Sequence, residues 1–303
     1  MRVLLIGYGS IAKKHVQALR EIDQKCSITA LRSGRDTSAI ENIHAVFSLN
    51  EVHIEDFDFA IVSNPTFLHA TIIEQLIPSK IPLFIEKPLF HSIEFYSLVE
   101  QIKVNNIRSY VACNLRFLDC LQFIKKEIIN FRINEVTIYC GSYLPEWRAD
   151  VDFRKSYSAH ASMGGGVELD LIHELDYAYW LFGKPLSVKK FASSTSSLNI
   201  EANDYANYLL VYEGFTVNII LNYYRKEPKR TLEIVCENET INVDLLKNEV
   251  QLNHQNWVAF NDTIATTYKK QLAYFLGSCL TGKQAMNDVE EAFEILNICL
   301  KKD

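Results

Sequence analysis

The chain has 303 residues, of which 48% are hydrophobic and 22% charged, and a formal net charge of −6. That is ample apolar material for one or two domains of about 100–200 residues each, and it excludes a disordered chain. The acidic balance excludes a nucleic-acid or anionic-membrane binder, which needs a basic face.

In chain order, the elements begin with a short continuous apolar run at 3–6, the signature of a strand buried on both faces. A glycine turn follows, then a helical pattern through Ile11, Ala12, Val16, Leu19 and Ile22. Strands are predicted at 28–31, 59–62, 82–85 and 110–112. Helices run between them through Leu68, Ile72 and Leu76, and, capped by Ser92, through Phe95, Leu98 and Ile102. Strands alternating with helices predict a doubly wound parallel sheet. After about residue 115 the pattern changes. Alternating segments at 134–143, 205–212, 215–223, 231–236, 240–246 and 249–252, joined by tight turns such as Glu213-Gly214, predict an antiparallel sheet. Helices are expected near 263–281 and 288–301, while the Ser-rich stretch 192–198 reads equally as a loop or an exposed strand. The expected architecture is thus an α/β Rossmann domain over 1–114 and an α+β domain with a large, mostly antiparallel sheet over 115–303.

The seven cysteines (26, 113, 120, 140, 236, 279 and 299) are odd in number and widely spaced, with no CxxC pair, and no His completes a metal site. They read as reduced, buried thiols of a reducing compartment. The N-terminal apolar run is too short for a signal peptide and no run approaches the ~18 residues of a membrane span, so a cytoplasmic location is expected.

Gly7-Tyr8-Gly9-Ser10-Ile11-Ala12 reads as GxGxxA between a strand and a helix. Gly7 permits the tight turn, Gly9 lets the backbone approach a pyrophosphate, and Ala12 keeps the helix close to the sheet. The phosphates then lie at the helix N-terminus, where free N–H groups favour anions. Dinucleotides are usually held by a carboxylate at the end of the second strand. Here that position reads Leu31-Arg32-Ser33-Gly34-Arg35. Arg32, Ser33 and Arg35 suit a 2′-phosphate, so NADP is favoured over NAD.

Three further segments complete a pattern: Ser63-Asn64-Pro65-Thr66 with His69 and Glu86-Lys87-Pro88, both expected at the cofactor, and Gly164-Gly165-Gly166 leading into Asp170-Leu171-Ile172-His173. Together with the GxGxxA turn, they make nearly the whole chain resemble the glucose–fructose oxidoreductase/inositol dehydrogenase/MocA (Gfo/Idh/MocA) family. The resemblance implies NAD(P)-dependent hydride transfer at a sugar, polyol or nucleotide-sugar hydroxyl, with the substrate between the two domains over the nicotinamide. It also implies a homodimer or homotetramer built through the sheet face. Some relatives retain NAD and cleave glycosidic bonds by transient oxidation, and a dinucleotide-sensing regulator is a third use of the fold.

Lys87 follows a strand at its carboxyl end, where a lysine stabilises negative charge developing on the reacting oxygen; the matching lysine of the family does this. Glu86 either binds the nicotinamide ribose or holds Lys87. In a helix expected over 170–181, Asp170, His173, Glu174 and Tyr177 fall on one stripe. His173 is the candidate acid/base, with Asp170 orienting it or binding a substrate hydroxyl. The Asp170–His173 spacing is one residue shorter than is usual in the family, which keeps His160, Glu174 and Asp176 as alternatives. Asn114 and Arg116, from the family's Asn-x-Arg-Phe stretch, and Trp147, Arg148, Arg154 and Tyr157 are expected at the substrate. Aromatic rings stack on sugars and arginines bind anions. The arginines point to an anionic substrate such as a sugar acid or nucleotide sugar.

Overall fold

The computed structural model describes residues 1–34, 38–148, 151–253, 255–283 and 285–301. It divides into two units, the first being 1–113 with 268–296 and the second 114–267 with 297–303. The segment 268–296, expected in the second domain, joins the first unit.

In the first unit, strands β1 (Arg2–Ile6), β2 (Ser27–Leu31), β3 (His44–Val46), β4 (Phe59–Val62), β5 (Leu83–Glu86) and β6 (Ser109–Ala112) form a sheet in the order β3-β2-β1-β4-β5-β6. Every pairing in it is parallel. Residues 3–6, 59–62 and 83–86 are buried throughout, as strands covered on both faces must be. Helices α1 (Ser10–Ile22), α2 (His69–Leu76) and α3 (Tyr96–Val104) connect them. The strand β3 carries too few residues for any periodic signal. Strand order reverses between β1 and β4, the switch point at which such sheets take ligands.

The segment 268–296 belongs to this unit for a physical reason. Phe275 packs edge-on against Phe59 and Phe84, with centroids 5.1 and 5.4 Å away. Asn287 closes the outer strand: its backbone carbonyl accepts from Val111 N–H at 2.8 Å and its side-chain amide donates to Val111 O at 2.9 Å. A free sheet edge is thereby satisfied.

The second unit holds α4 (Asp119–Glu127), α5 (Val167–Asp170) and α6 (His173–Phe182). Its eight strands are β7 (Ile133–Tyr143), β8 (Ser187–Ser193), β9 (Tyr205–Val211), β10 (Thr216–Asn222), β11 (Tyr224–Cys236), β12 (Thr240–Asp244), β13 (Glu249–Leu252) and β14 (Val258–Ala259). They run β14-β13-β12-β11-β7-β10-β9-β8, antiparallel except where β7 meets β10. One face is buried through alternate residues such as Val136, Ile138 and Cys140, and α5 and α6 lie against its central strands. The Ser-rich stretch is the end of β8 followed by a loop. Strand β11 starts seven residues before the expected Thr231, because the polar run Tyr224–Arg230 hides its first half. A register shift between Tyr224 and Lys229 accommodates that run. Two helices close the chain, α7 (Thr267–Tyr274), continued by a π turn over Phe275–Cys279, and α8 (Val289–Cys299).

A continuous helix over 170–181 is corrected by the structure: α5 ends at Asp170 and α6 begins at His173. At the break Glu174 N–H bonds to Leu171 O, three residues back rather than four. Among the described residues no helix is long and apolar enough to cross a membrane.

Candidate active site

In the first unit the site grows from the ends of β1, β4 and β5. Gly7 has φ +85°, and a Cβ there would lie 2.9 Å from the Asn64 Cα, so both its conformation and its neighbour demand glycine. Ser63 secures the neighbouring loop by donating from Oγ to Ile6 O at 3.0 Å. Gly9 caps α1 without any side-chain bond, nothing lies within 4 Å of where its Cβ would be, and the first turn holds no acid. Open N–H groups beside empty space suit a phosphate. Tyr8 is half-buried, with Lys13 Nζ 5.9 Å from its ring centroid; Ser10 and Ile11 open the helix and Ala12 is buried against the sheet. Asn64 Oδ1 is buried without a hydrogen-bond partner, a polar atom placed for a ligand. Pro65 and Thr66 continue this loop into α2. These features fit a dinucleotide.

Three of the other expected cofactor contacts, Arg32, His69 and Glu86, make hydrogen bonds within the protein. Arg32 is 8% exposed and its Nη1 donates to Ser38 O at 2.6 Å. Ser33 is exposed, and Arg35 lies outside the described residues. His69 is buried, its Nδ1 3.1 Å from Leu89 O and its Nε2 3.0 Å from Asn64 O. These two bonds join the loops after β4 and β5. Burial holds its imidazole below the ordinary histidine range. Glu86 is buried as well. Its Oε1 lies 2.6 Å from His15 Nε2, and its Oε2 accepts the Lys87 backbone N–H at 3.2 Å. Of its two expected roles, holding Lys87 is the one that this geometry serves. Lys87 itself is half-buried at the carboxyl end of β5.

In the second unit the expected stripe is split among separate partners. Tyr223 donates from its hydroxyl to Asp170 Oδ2 at 2.6 Å. Arg230 grips Glu174 at 2.6 and 3.1 Å. Arg116 grips Asp176 at 2.9 and 2.7 Å. Tyr177 is fully buried. Arg116, Tyr177, Glu174 and Asp176 are therefore internal framework rather than substrate contacts. Asn114 is also buried, donating to Thr267 Oγ1 at 2.7 Å. His173 is the half-buried member at the head of α6.

A recess remains, lined by Leu144, Trp147, Arg148, Val151, Phe153 and Tyr157, among others. Trp147 stands edge-on to Tyr223 at 5.3 Å, and its indole N–H donates to Ser142 Oγ at 2.9 Å. The Arg148 guanidinium lies 5.9 Å from the Tyr157 ring centroid. Burial, and next the Asp170 carboxylate, push the Tyr157 phenol upward. Gly165 seats this wall, since a Cβ on it would lie 2.0 Å from Tyr157 O. Arg154, by contrast, is engaged within the protein, 4.5 Å from the Phe153 ring centroid and donating to Leu198 O at 3.4 Å. His160 faces Glu201 at 3.2 Å on the surface.

Sequence reasoning missed His15, Tyr223 and Arg230. His15 carried a signal, being a polar residue on the apolar stripe of α1. Tyr223 and Arg230 carried none, since their partners are 53 and 56 residues away.

Comparison with known proteins gives two adjacent matches. A family model described as an oxidoreductase family with an NAD-binding Rossmann fold covers residues 1–109, and the GFO/IDH/MocA C-terminal domain covers 122–242. An uncharacterised oxidoreductase, YrbE, of Bacillus subtilis is 24% identical over 192 residues, 60% of this chain and 54% of that protein. Levoglucosan dehydrogenase of Pseudarthrobacter phenanthrenivorans is 28% identical over 147 residues, 48% of this chain and 36% of that protein. The matches thus span about half and about a third of these relatives. A solved levoglucosan dehydrogenase, in complex with NADH and levoglucosan, superposes with a TM-score of 0.87 at 17% identity, over 99% of this chain and 95% of that one.

Proposed function

From the premise that the chain belongs to the Gfo/Idh/MocA family of NAD-binding Rossmann oxidoreductases, we propose that it is a dehydrogenase or reductase acting on a CH–OH carbon of a carbohydrate-like substrate. The observation that carries the reading is the turn at Gly7–Gly9: a glycine pressed against Asn64, followed by an uncapped helix end with open space over Gly9. Gly7–Ala12 and the Ser63–Thr66 loop would hold a nicotinamide dinucleotide, which supplies the hydride acceptor or donor. With no carboxylate at the end of β2 to meet a ribose 2′-hydroxyl, NADP is preferred over NAD.

Lys87 donates a hydrogen bond to the reacting oxygen, where negative charge grows during transfer. His173 takes or returns the hydroxyl proton, as an imidazole does near neutral pH. Asp170 anchors the hydroxyl of Tyr223 and so fixes the tyrosine behind Trp147. Trp147 and Tyr157 offer ring faces to a sugar, and Arg148 a cation to an acidic substituent.

Fluorescence titration of the cofactor-free protein with NADPH and NADH tests the first step. Tighter binding of NADPH is expected, tighter binding of NADH refutes the NADP preference, and binding of neither refutes the oxidoreductase reading. Once a panel of sugars and sugar acids yields a substrate, Lys87→Met and His173→Gln are each expected to lower kcat by about 10²–10⁴-fold. Nicotinamide binding should be unchanged in both. Full turnover by either variant removes that residue from the chemistry.

A further inference from the structure

We propose that His15 is a positioning residue for Lys87, acting through Glu86. His15 sits on the sheet-facing side of α1 and is completely buried. Its ring stands edge-on to Phe84 and to Tyr268, with centroids 5.0 and 5.8 Å away, so packing fixes its rotamer. Its Nε2 lies 2.6 Å from Glu86 Oε1, while its Nδ1 is buried with no hydrogen-bond partner. Glu86 is therefore the polar partner that gives this imidazole a reason to be in an apolar core. A carboxylate only accepts, so the bond assigns the proton to Nε2.

The other Glu86 oxygen accepts the Lys87 backbone N–H. The carboxylate is thus held on one side by a locked ring and on the other holds the first peptide beyond β5. A carboxylate buried here without the His15 donor would be strongly disfavoured and would turn away. Once turned away, it no longer accepts the Lys87 backbone N–H, and the direction in which the lysine leaves the strand is altered. A catalytic group misplaced by an ångström costs up to about 100-fold in rate.

The consequence for catalysis rests on the role of Lys87 proposed above, but the placement itself does not, and it is tested without substrate. Acetic anhydride in limiting amount is applied to the full chain, and acetylation of Lys87 is read by peptide mass spectrometry against exposed Lys126. His15→Phe keeps the ring and removes the donor; His15→Gln keeps an N–H able to reach Glu86. The expected result is a changed Lys87:Lys126 ratio in His15→Phe and a ratio restored to that of the unmodified protein in His15→Gln, with NADPH binding retained in both. An unchanged ratio in a folded His15→Phe protein overturns the proposal and leaves His15 as packing alone. Should His15→Phe not fold, Glu86→Met removes the carboxylate and tests the relay from its other end, and an unchanged ratio there overturns it equally. Failure of the unmodified protein to bind either nicotinamide would refute the functional reading without touching these labelling outcomes.

Discussion

Arg116 and Asp176 form a two-point ion pair, Nε to Oδ2 at 2.9 Å and Nη2 to Oδ1 at 2.7 Å, with the arginine completely buried and the aspartate 1% exposed. An arginine expected to receive a substrate anion is instead matched to an internal carboxylate, tying the turn over Asn114–Phe117 to α6. Removing one partner strands the other charge, whereas removing both does not. Asp176→Asn is expected to lose about 3–5 kcal/mol of unfolding free energy. The double variant Arg116→Met/Asp176→Leu should recover much of that loss. Urea denaturation of the two proteins decides it, and a single variant as stable as the parent would show the pair to be dispensable.

Gly7→Ala should fold yet bind dinucleotide poorly. The left-handed backbone costs a non-glycine residue about 1–2 kcal/mol, and the added methyl would sit 2.9 Å from the Asn64 Cα. The expected readout is a Kd for NADPH raised about tenfold or more, since 1.4 kcal/mol is tenfold. Undiminished affinity would place the cofactor away from this turn.

His69 predicts a pH signature. Burial lowers its pKa in the folded state, so the unfolded chain binds a proton that the folded one resists. The contribution is fully present above the unfolded value of about 6.5 and is lost as pH falls through the lower folded value. Stability should therefore fall on acidification from pH 7 to 5, and the fall should shrink in His69→Asn. Equal slopes for both proteins, measured by denaturation midpoints across this range, would exclude His69 as the source.

Cys120 and Cys140 are buried thiols pushed up to about 12 by that burial, so neither is an available nucleophile at neutral pH. Ellman's reagent at pH 8 should leave both unmodified in the folded protein and label them on denaturation. Rapid native labelling of either would mean that the core opens locally.

Much of the first unit could be read from sequence because its determinants are local. The apolar runs at 3–6 and 59–62, the glycine turn between β1 and α1, and the Glu86-Lys87 strand end each lie within a few consecutive residues. The second unit was legible only as alternation. That pattern located most strands but hid the first half of β11, whose polar residues obey no period.

What the sequence alone determined is the succession of strands and helices, the dinucleotide turn, the lysine at the end of β5 and the family pattern that these make together. Each follows from backbone conformation or from side-chain period, which neighbouring residues set. Only the tertiary structure decided which polar residues are spoken for. Arg116, Glu174, Asp176, Glu86 and His69 look like site residues in sequence, yet each is taken up by a partner inside its own unit. A buried charge or imidazole must be satisfied wherever the fold brings a partner, and that partner can lie 71 residues away, as His15 does from Glu86.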